Sequence, residues 1–80
     1  MKAQVTVTLK RGVLDPQGQA IEGALKSLNF NSVGSLRQGK VFDIELDESD
    51  PVQARNRLNE MCEKLLANTV IEDYTVTLSE

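Results

Sequence analysis

The sequence contains no histidine and no tryptophan, and Cys62 is its single cysteine. Without histidine the chain lacks the side chain most often used as a general base or metal ligand near neutral pH. One cysteine cannot form an internal disulfide, which is typical of a reducing compartment. Cys62 lies on the apolar face of a predicted helix, so we expect it to be buried and unreactive. We therefore expect a cytoplasmic chain that performs no catalysis alone.

Aromatic residues and positive charge are also scarce. Phe30, Phe42 and Tyr74 are the whole aromatic content, too little for the base-stacking platform of an RNA-binding sheet. Nine lysines and arginines against twelve acidic residues give a net charge of −3, so a phosphate backbone is not attracted. No apolar run approaches the ~20 residues of a membrane span, and the first residues lack the apolar stretch of a signal peptide. We expect neither nucleic acid nor a membrane as a partner.

The chain is short. Its 80 residues suffice for one small domain, residues 1–80. Such a domain buries only roughly 60–65% of the surface that the unfolded chain exposes. A partner that covers apolar surface would therefore add stability.

The first third of the chain predicts a strand followed by a helix. Apolar residues at every second position predict a strand over residues 3–10 with one buried face. From Ile21 onward apolar residues recur at i, i+3, i+4 and i+7, which predicts a helix from Pro16 to about Leu28. Asp15 is placed to cap this helix, and proline is favoured at its first position.

The middle of the chain predicts a hairpin. Residues 32–37 form the second predicted strand, and Gln38-Gly39 the reversal, because glycine readily adopts positive φ. Alternation of apolar and acidic residues from Phe42 to Leu46 predicts a third strand with one solvent-exposed face.

The last part repeats the pattern of the first. Asp50-Pro51 matches Asp15-Pro16 and predicts a second helix over about residues 51–67. Asn68 is expected to stop this helix in the left-handed conformation. Alternation over residues 70–78 predicts a fourth strand.

The resulting order, β-α-β-β-α-β, predicts an α+β fold. We expect a ferredoxin-like sandwich with a four-stranded antiparallel sheet and two helices on one face. The opposite face and the sheet edges remain available to a partner. We therefore expect a homodimer or higher homo-oligomer that associates through a sheet edge or face.

Two apparent ligand motifs fail on their chemistry. Gly34 to Lys40 match most of a P-loop, but Val41 replaces the hydroxyl residue and a strand follows instead of a helix. The acidic run after Phe42 imitates the start of an EF-hand, but Glu48 and Ala54 stand where glycine and a bidentate glutamate are needed. Neither a nucleotide nor calcium is expected on this chain.

Two other stretches keep a functional interpretation. In residues 10–18, Lys10 and Arg11 precede a helix N-terminus, which fits a capped turn better than a bound small anion, although either is open. In residues 65–74, Val70 and Ile71 enter a strand consecutively and cannot both face the core. That segment is either ordinary core or an edge that faces a partner.

On these stretches the sequence resembles the PurS family, subunits of phosphoribosylformylglycinamidine synthase. The resemblance rests on "GVLDPQG", "LRQGK" and "MCEKLLANTVIEDY", which occur in the family's order, and it runs from the first predicted strand to the last. It implies a small non-catalytic subunit in de novo purine biosynthesis. Such a subunit would join the glutaminase subunit, PurQ, to the synthetase subunit, PurL.

The resemblance also implies which cofactors the complex uses, and it leads to a hypothesis about the contact residues. The complex would use ATP and Mg for the synthetase reaction and glutamine as the source of ammonia, with no cofactor on this chain. We expect a partner interface built from Lys10, Arg11, Gly12, Asp15, Gln17, Gly18, Arg37, Lys40, Asn68, Glu72 and Asp73. In particular, the stretch from Lys10 to Gly18 is hypothesised to contact the synthetase or to help enclose the route of ammonia.

Two alternative functions stay open at this point. Ferredoxin-like sheets also form stand-alone regulatory modules that bind small molecules between paired subunits. A small acylphosphatase-type hydrolase would need an anion-binding arginine and a water-orienting asparagine, for which Arg11 and Asn31 or Asn68 match in type only.

Overall fold

The regular elements follow one another from the N-terminus in a computed structural model that describes residues 1–79. They are β1 (Lys2–Leu9), α1 (Pro16–Ser27), β2 (Gly39–Glu45), α2 (Pro51–Met61), a π-helical segment (Cys62–Leu66) and β3 (Glu72–Ser79). The strand order is β2-β1-β3, and both pairings are antiparallel. The predicted α+β class is confirmed.

The core lies between β1 and α2. Ala3, Val5 and Val7 are buried because alternate residues of the central strand point to the same face. Leu58 of α2 and Cys62 of the π-helical segment cover them and are fully buried. Burial raises the pKa of the Cys62 thiol, and the nearby carboxylate of Glu63 adds to this. The expected burial of Cys62 is confirmed.

Helix α2 begins as its sequence predicts and ends irregularly. Asp50 accepts a hydrogen bond from the N–H of Val52 at 2.9 Å, and Pro51 occupies the first turn. The last turn widens, so the N–H of Ala67 donates to the carbonyl of Cys62, five residues earlier, at 3.0 Å. The predicted helix over 51–67 is therefore an α-helix followed by one π-helical turn.

The predicted strand over residues 32–37 is not confirmed. Residues 33–38 have no regular structure, so the sheet of the described chain has three strands instead of four. Neither face of this segment is apolar, and the N–H of Gln38 donates to the Asp15 carboxylate instead of a neighbouring strand. Gly39 does not reverse the chain, because no glycine of residues 1–79 has positive φ. It begins β2, where a Cβ would lie 2.7 Å from the carbonyl oxygen of Val7.

Helix α1 does not cover the sheet, contrary to the predicted sandwich. No residue of α1 belongs to the core cluster of the described chain, and Gly18 is its one buried residue. Ile21 and Leu28 are 42% and 65% exposed. The radius of gyration is 15.9 Å, whereas a compact chain of this length has about 12 Å. The helix therefore projects from the body of the molecule.

The segment before β3 also differs from its prediction. Asn68 is not left-handed, since Asn29, at φ 73°, is the one non-glycine residue with positive φ in residues 1–79. The N–H groups of Ile71 and Glu72 both donate to the carbonyl of Asn68, so residues 68–71 form a turn and β3 begins at Glu72. Val70 is 81% exposed on this turn. Val70 therefore lies outside the core, and the interpretation of this segment as an edge that faces a partner stays a prediction.

The helices are short. None of them, over residues 1–79, combines the length and the apolar character that crossing a bilayer requires.

Candidate interface site

One end of the sheet gathers the residues that the sequence singled out. Thr8 of β1 lies opposite Gly39 of β2 and Asp73 of β3, because both neighbours run antiparallel to the central strand. We call the three segments that meet there, residues 10–18, 35–40 and 68–73, the loop end. Every predicted interface residue lies in one of these segments.

Asp15 links two parts of the loop end. One carboxylate oxygen accepts a hydrogen bond from the N–H of Gly18 at 2.9 Å, which caps α1 as predicted. The other accepts from the N–H of Gln38 at 2.7 Å. The Gln38 and Gly18 donors, together with the Arg37 charge, hold the pKa of Asp15 below its ordinary value of 3.8, against the opposite effect of desolvation. The helix cap and the entry to β2 are thus held by one side chain.

Gly18 permits this close approach. A Cβ at this position would lie 2.5 Å from the Oδ2 atom of Asp15 and 2.8 Å from the carbonyl oxygen of Leu36. Real Cβ atoms essentially never come so near another heavy atom. A side chain here would push the segment 35–38 away from the first turn of α1.

Arg37 fixes the turn that follows β1. Its Nη2 atom donates to the carbonyl of Val13 at 2.7 Å and to the carbonyl of Lys10 at 3.2 Å. The N–H of Val13 donates to the same Lys10 carbonyl at 2.9 Å. The guanidinium group of Arg37 thus binds a loop of its own chain, and its place at a partner interface stays a prediction. These hydrogen bonds connect the turn after β1 to the segment that leads into β2 within the single chain.

Two ion pairs join the ends of neighbouring strands. Lys40 Nζ lies 3.6 Å from Glu72 Oε2, and Lys10 Nζ lies 3.8 Å from Asp73 Oδ1. The other oxygen of Glu72 accepts a hydrogen bond from the N–H of Asn68 at 2.7 Å. Both lysine side chains are exposed, and an ion pair at a protein surface stabilises a fold by little, at most about 1 kcal/mol. Their effect is to set the positions of charge on this surface.

The remaining predicted residues line or flank a shallow groove of about 320 Å³. Gln17, Lys40 and Glu72 line it, while Arg11 and Gly12 lie exposed in the neighbouring turn. Leu14, which the sequence reasoning did not select, is 64% exposed at the same end. The sequence could have indicated Leu14, because it is an apolar residue in a loop and neither a helical nor a strand period explains it. The groove offers hydrogen-bonding, charged and apolar groups for contact.

No group of three or more potential metal-ligating side chains occurs in the part of the chain that the structure describes. The fold and the loop end define a small α+β protein with an ordered, mixed-charge loop surface. The family follows from comparison with known proteins. Residues 2–80 match the family model described as "PurS: Phosphoribosylformylglycinamidine (FGAM) synthase", and the chain belongs to the PurS family.

Individual relatives extend this match to the whole fold. Phosphoribosylformylglycinamidine synthase subunit PurS of Bacillus subtilis is 48% identical over 79 residues, which cover 99% of this chain and 93% of that protein. A solved structure of B. subtilis PurS gives a TM-score of 0.89 at 48% identity, covering 99% of this chain and 98% of that one. A chain in the structure of PurLQS from Thermotoga maritima gives 0.88 at 33% identity, covering 95% and 93%.

Proposed function

We propose that this chain is the small, non-catalytic subunit of a phosphoribosylformylglycinamidine synthase in purine biosynthesis. The observation that carries the proposal is the likeness over nearly the full length to PurS subunits, including a chain of a PurLQS structure. The chemistry of the residues agrees with it. The chain has no histidine, and its single thiol is buried with a raised pKa. A subunit of this kind contributes surfaces instead of a reacting group.

The proposed partners are a glutaminase subunit, PurQ, and a synthetase subunit, PurL. The glutaminase would release ammonia, and the synthetase would use ATP and Mg to activate the amide of formylglycinamide ribonucleotide. ATP and Mg therefore belong to the synthetase in this proposal, and this chain brings the two active sites together. A second copy of the chain and a cytoplasmic location belong to the same proposal.

The loop end is the proposed contact surface toward these partners. Arg11 and Gln17 are exposed there and make no hydrogen bond within the described chain that would occupy their side chains. Asp15 and Arg37 hold the backbone beneath them in place. A surface ordered in advance loses less conformational entropy on binding than a flexible loop does. The geometry therefore supports a role for residues 10–18 in contact with the synthetase or along the route of ammonia.

A reconstituted assay tests the proposed function. Formation of formylglycinamidine ribonucleotide is measured with purified synthetase and glutaminase, with and without this chain, first with glutamine and then with ammonium. We expect the chain to restore the glutamine reaction and to leave the ammonium reaction nearly unchanged. If neither reaction responds, the subunit assignment is wrong, and a regulatory module that binds small molecules becomes the better explanation.

Matched variants test the contact surface. Arg11→Ala and Gln17→Ala should each weaken assembly and the glutamine reaction together. Gln53→Ala is the control for Gln17, since both glutamines are exposed in the first turn of a helix. Lys2→Ala is the control for Arg11, at the opposite end of β1. Equal activity and affinity in all four variants would exclude the loop end as the interface.

A further inference from the structure

Leu14 is an exposed apolar side chain in the turn between β1 and α1. It is 64% exposed and stands between Val13 and Asp15, which are both bound by distant parts of the chain. The Val13 carbonyl accepts a hydrogen bond from Arg37 at 2.7 Å, and the Asp15 carboxylate accepts from two backbone N–H groups. The backbone on both sides of Leu14 is therefore held by hydrogen bonds, while the side chain itself is largely in water.

A groove of about 460 Å³ lies beside this residue. Its apolar lining is Val13, Leu14 and Leu36, and Arg11 and Arg37 also line it. We call it the Leu14 groove. Apolar surface next to two arginines fits a protein segment in which an apolar side chain stands beside a carboxylate.

The charges of the Leu14 groove are unequally satisfied. Its two carboxylates are bonded within the chain, Asp15 to backbone N–H groups and Glu22 to Lys26 at 3.3 Å. By contrast, neither Arg11 nor Arg37 has a carboxylate oxygen within 4.0 Å among residues 1–79. Arginine binds a carboxylate strongly because its planar group can donate two parallel hydrogen bonds. A partner that supplies a carboxylate would complete this surface.

A free anion is a less suitable occupant than a protein segment. The N–H of Gly18, in the first turn of α1, already donates to the Asp15 carboxylate, so this helix end binds an acid of its own chain. A small anion would also leave the apolar surface of Leu14 in water.

We propose that Leu14 is the anchor residue of the contact with the synthetase subunit, and that Arg37 is the positioning residue that holds it. This rests on the proposed function, which places residues 10–18 against the synthetase. Leu14 inserts into an apolar pocket of the synthetase, and an acidic side chain at the rim of that pocket binds Arg11. A few buried anchors of this kind dominate the affinity of an interface. Without Arg37 the loop must be ordered on binding, which weakens association.

Activation curves test the anchor. The glutamine reaction of purified synthetase and glutaminase is measured against rising concentrations of this chain, which gives a half-activating concentration. Leu14→Ser should raise that concentration by about tenfold or more. Val52→Ser is the matched control, because Val52 is 67% exposed and adjoins the other Asp-Pro helix start. An unchanged value for Leu14→Ser, or an equal increase for Val52→Ser, would overturn the proposal.

A double-mutant cycle tests whether Arg37 acts through Leu14. Arg37→Gln should raise the half-activating concentration, and Arg37→Lys should recover part of the loss, because one ammonium group can donate to both carbonyls that Nη2 reaches. In chains that also carry Leu14→Ser, Arg37→Gln should add less than about twofold. Arg55→Gln is the control, since Arg55 also donates to a backbone carbonyl of its own chain, that of Val76 at 3.3 Å. Fully additive effects of Arg37→Gln and Leu14→Ser would overturn the positioning role.

A dye at position 14 identifies the occupant. Leu14→Cys is labelled with a dye whose emission shifts to shorter wavelength in apolar surroundings, while the native Cys62 is buried and stays unlabelled. The synthetase, alone or with the glutaminase, should shift the emission, and the same dye on Val52→Cys should not respond. A shift caused by the glutaminase alone, by inorganic phosphate or by a higher concentration of this chain would assign the groove to another occupant and overturn the proposal.

Failure of the inference and failure of the proposed function give different results. If the wild-type chain does not restore the glutamine reaction, the proposed function is wrong and the inference falls with it. If the wild type restores the reaction and Leu14→Ser does so at the same concentration, the subunit assignment stands and the anchor alone is wrong.

Discussion

Two glycines of α1 should respond in opposite ways to the same substitution. Alanine in place of glycine inside an exposed helix normally stabilises it by up to about 1 kcal/mol. Gly23 is exposed, and a Cβ there would meet no atom within 4 Å. Gly23→Ala should therefore raise the free energy of unfolding by about 0.5–1 kcal/mol.

Gly18→Ala has the same gain in helix propensity but a larger steric cost. Its Cβ would lie 2.8 Å from the Leu36 carbonyl oxygen, which is backbone and cannot rotate away. It would also lie 2.5 Å from the Oδ2 atom of Asp15, whose carboxylate is held by one hydrogen bond on each oxygen. Forcing an extra methyl group into a filled site costs typically about 1–3 kcal/mol. The net change should be a loss of roughly 1 to 2 kcal/mol.

Thermal unfolding distinguishes the two cases. A change of 1 kcal/mol shifts Tm by roughly 4–8 °C in a domain of this size. Gly23→Ala should raise Tm by a few degrees and Gly18→Ala should lower it by about 4–15 °C. All chains are compared at one protein concentration, because the stability of an oligomer depends on it. If Gly18→Ala unfolds at the same temperature as Gly23→Ala, the segment 35–38 does not pack against α1 as described.

Three further substitutions test the hydrogen bonds of Asp15, the burial of the Cys62 thiol and the packing of Leu58 in the core. The pKa of Asp15 is lowered in the fold, so its stabilising contribution is complete above pH 3.8 and is lost as pH falls through the folded value. The free energy of unfolding, measured in urea, should therefore change less between pH 6 and pH 3 for Asp15→Asn than for wild type. An equal change in both proteins would contradict the hydrogen bonds assigned to the Asp15 carboxylate. The pKa of Cys62 is raised, so its contribution is present below pH 9.0 and is lost as pH rises through the folded value. Cys62→Ala should show less alkaline destabilisation, and rapid labelling of native Cys62 by a thiol reagent would refute its burial. Leu58→Ala should cost about 2–5 kcal/mol, because the side chain is fully buried, and a loss below about 1 kcal/mol in urea unfolding would place it outside the core.

The sequence predicts well those features whose causes are local. Alternation along β1 specifies a one-sided strand, and the observed element, Lys2–Leu9, differs from the prediction by one residue at each end. Asp15 and Asp50 each cap a helix within three residues of their own position. In such cases the hydrogen-bond donor and acceptor, or the residues that alternate, are only a few positions apart in the chain. The local sequence therefore determines the structure that forms there.

Contacts between distant residues account for the strand that did not form. Arg37 binds carbonyl groups 24 and 27 residues earlier in the chain, and Asp15 reaches the N–H of Gln38 across 23 residues. These bonds replace the ladder that a hairpin would have made with residues 32–37. The periodicity of apolar residues does not predict these hydrogen bonds, because a side chain that binds a remote backbone group needs only to be polar. The interface hypothesis included Arg37 without indicating that its side chain binds within the chain.

The amphipathic pattern of α1 shows most clearly where sequence reasoning ends. Recurrence of Ile21, Leu25 and Leu28 specifies that one face of the helix is to be covered, but it carries no information about which chain provides the cover. The sequence-based expectation assigned that cover to the helix's own sheet. In the structure the helix projects from the body of the molecule, and a groove lined by Ile44, Met61 and Leu65 remains open between α2 and β2. A period within one sequence therefore indicates which face of a helix is apolar, whereas the element that packs on that face depends on contacts that the period does not encode.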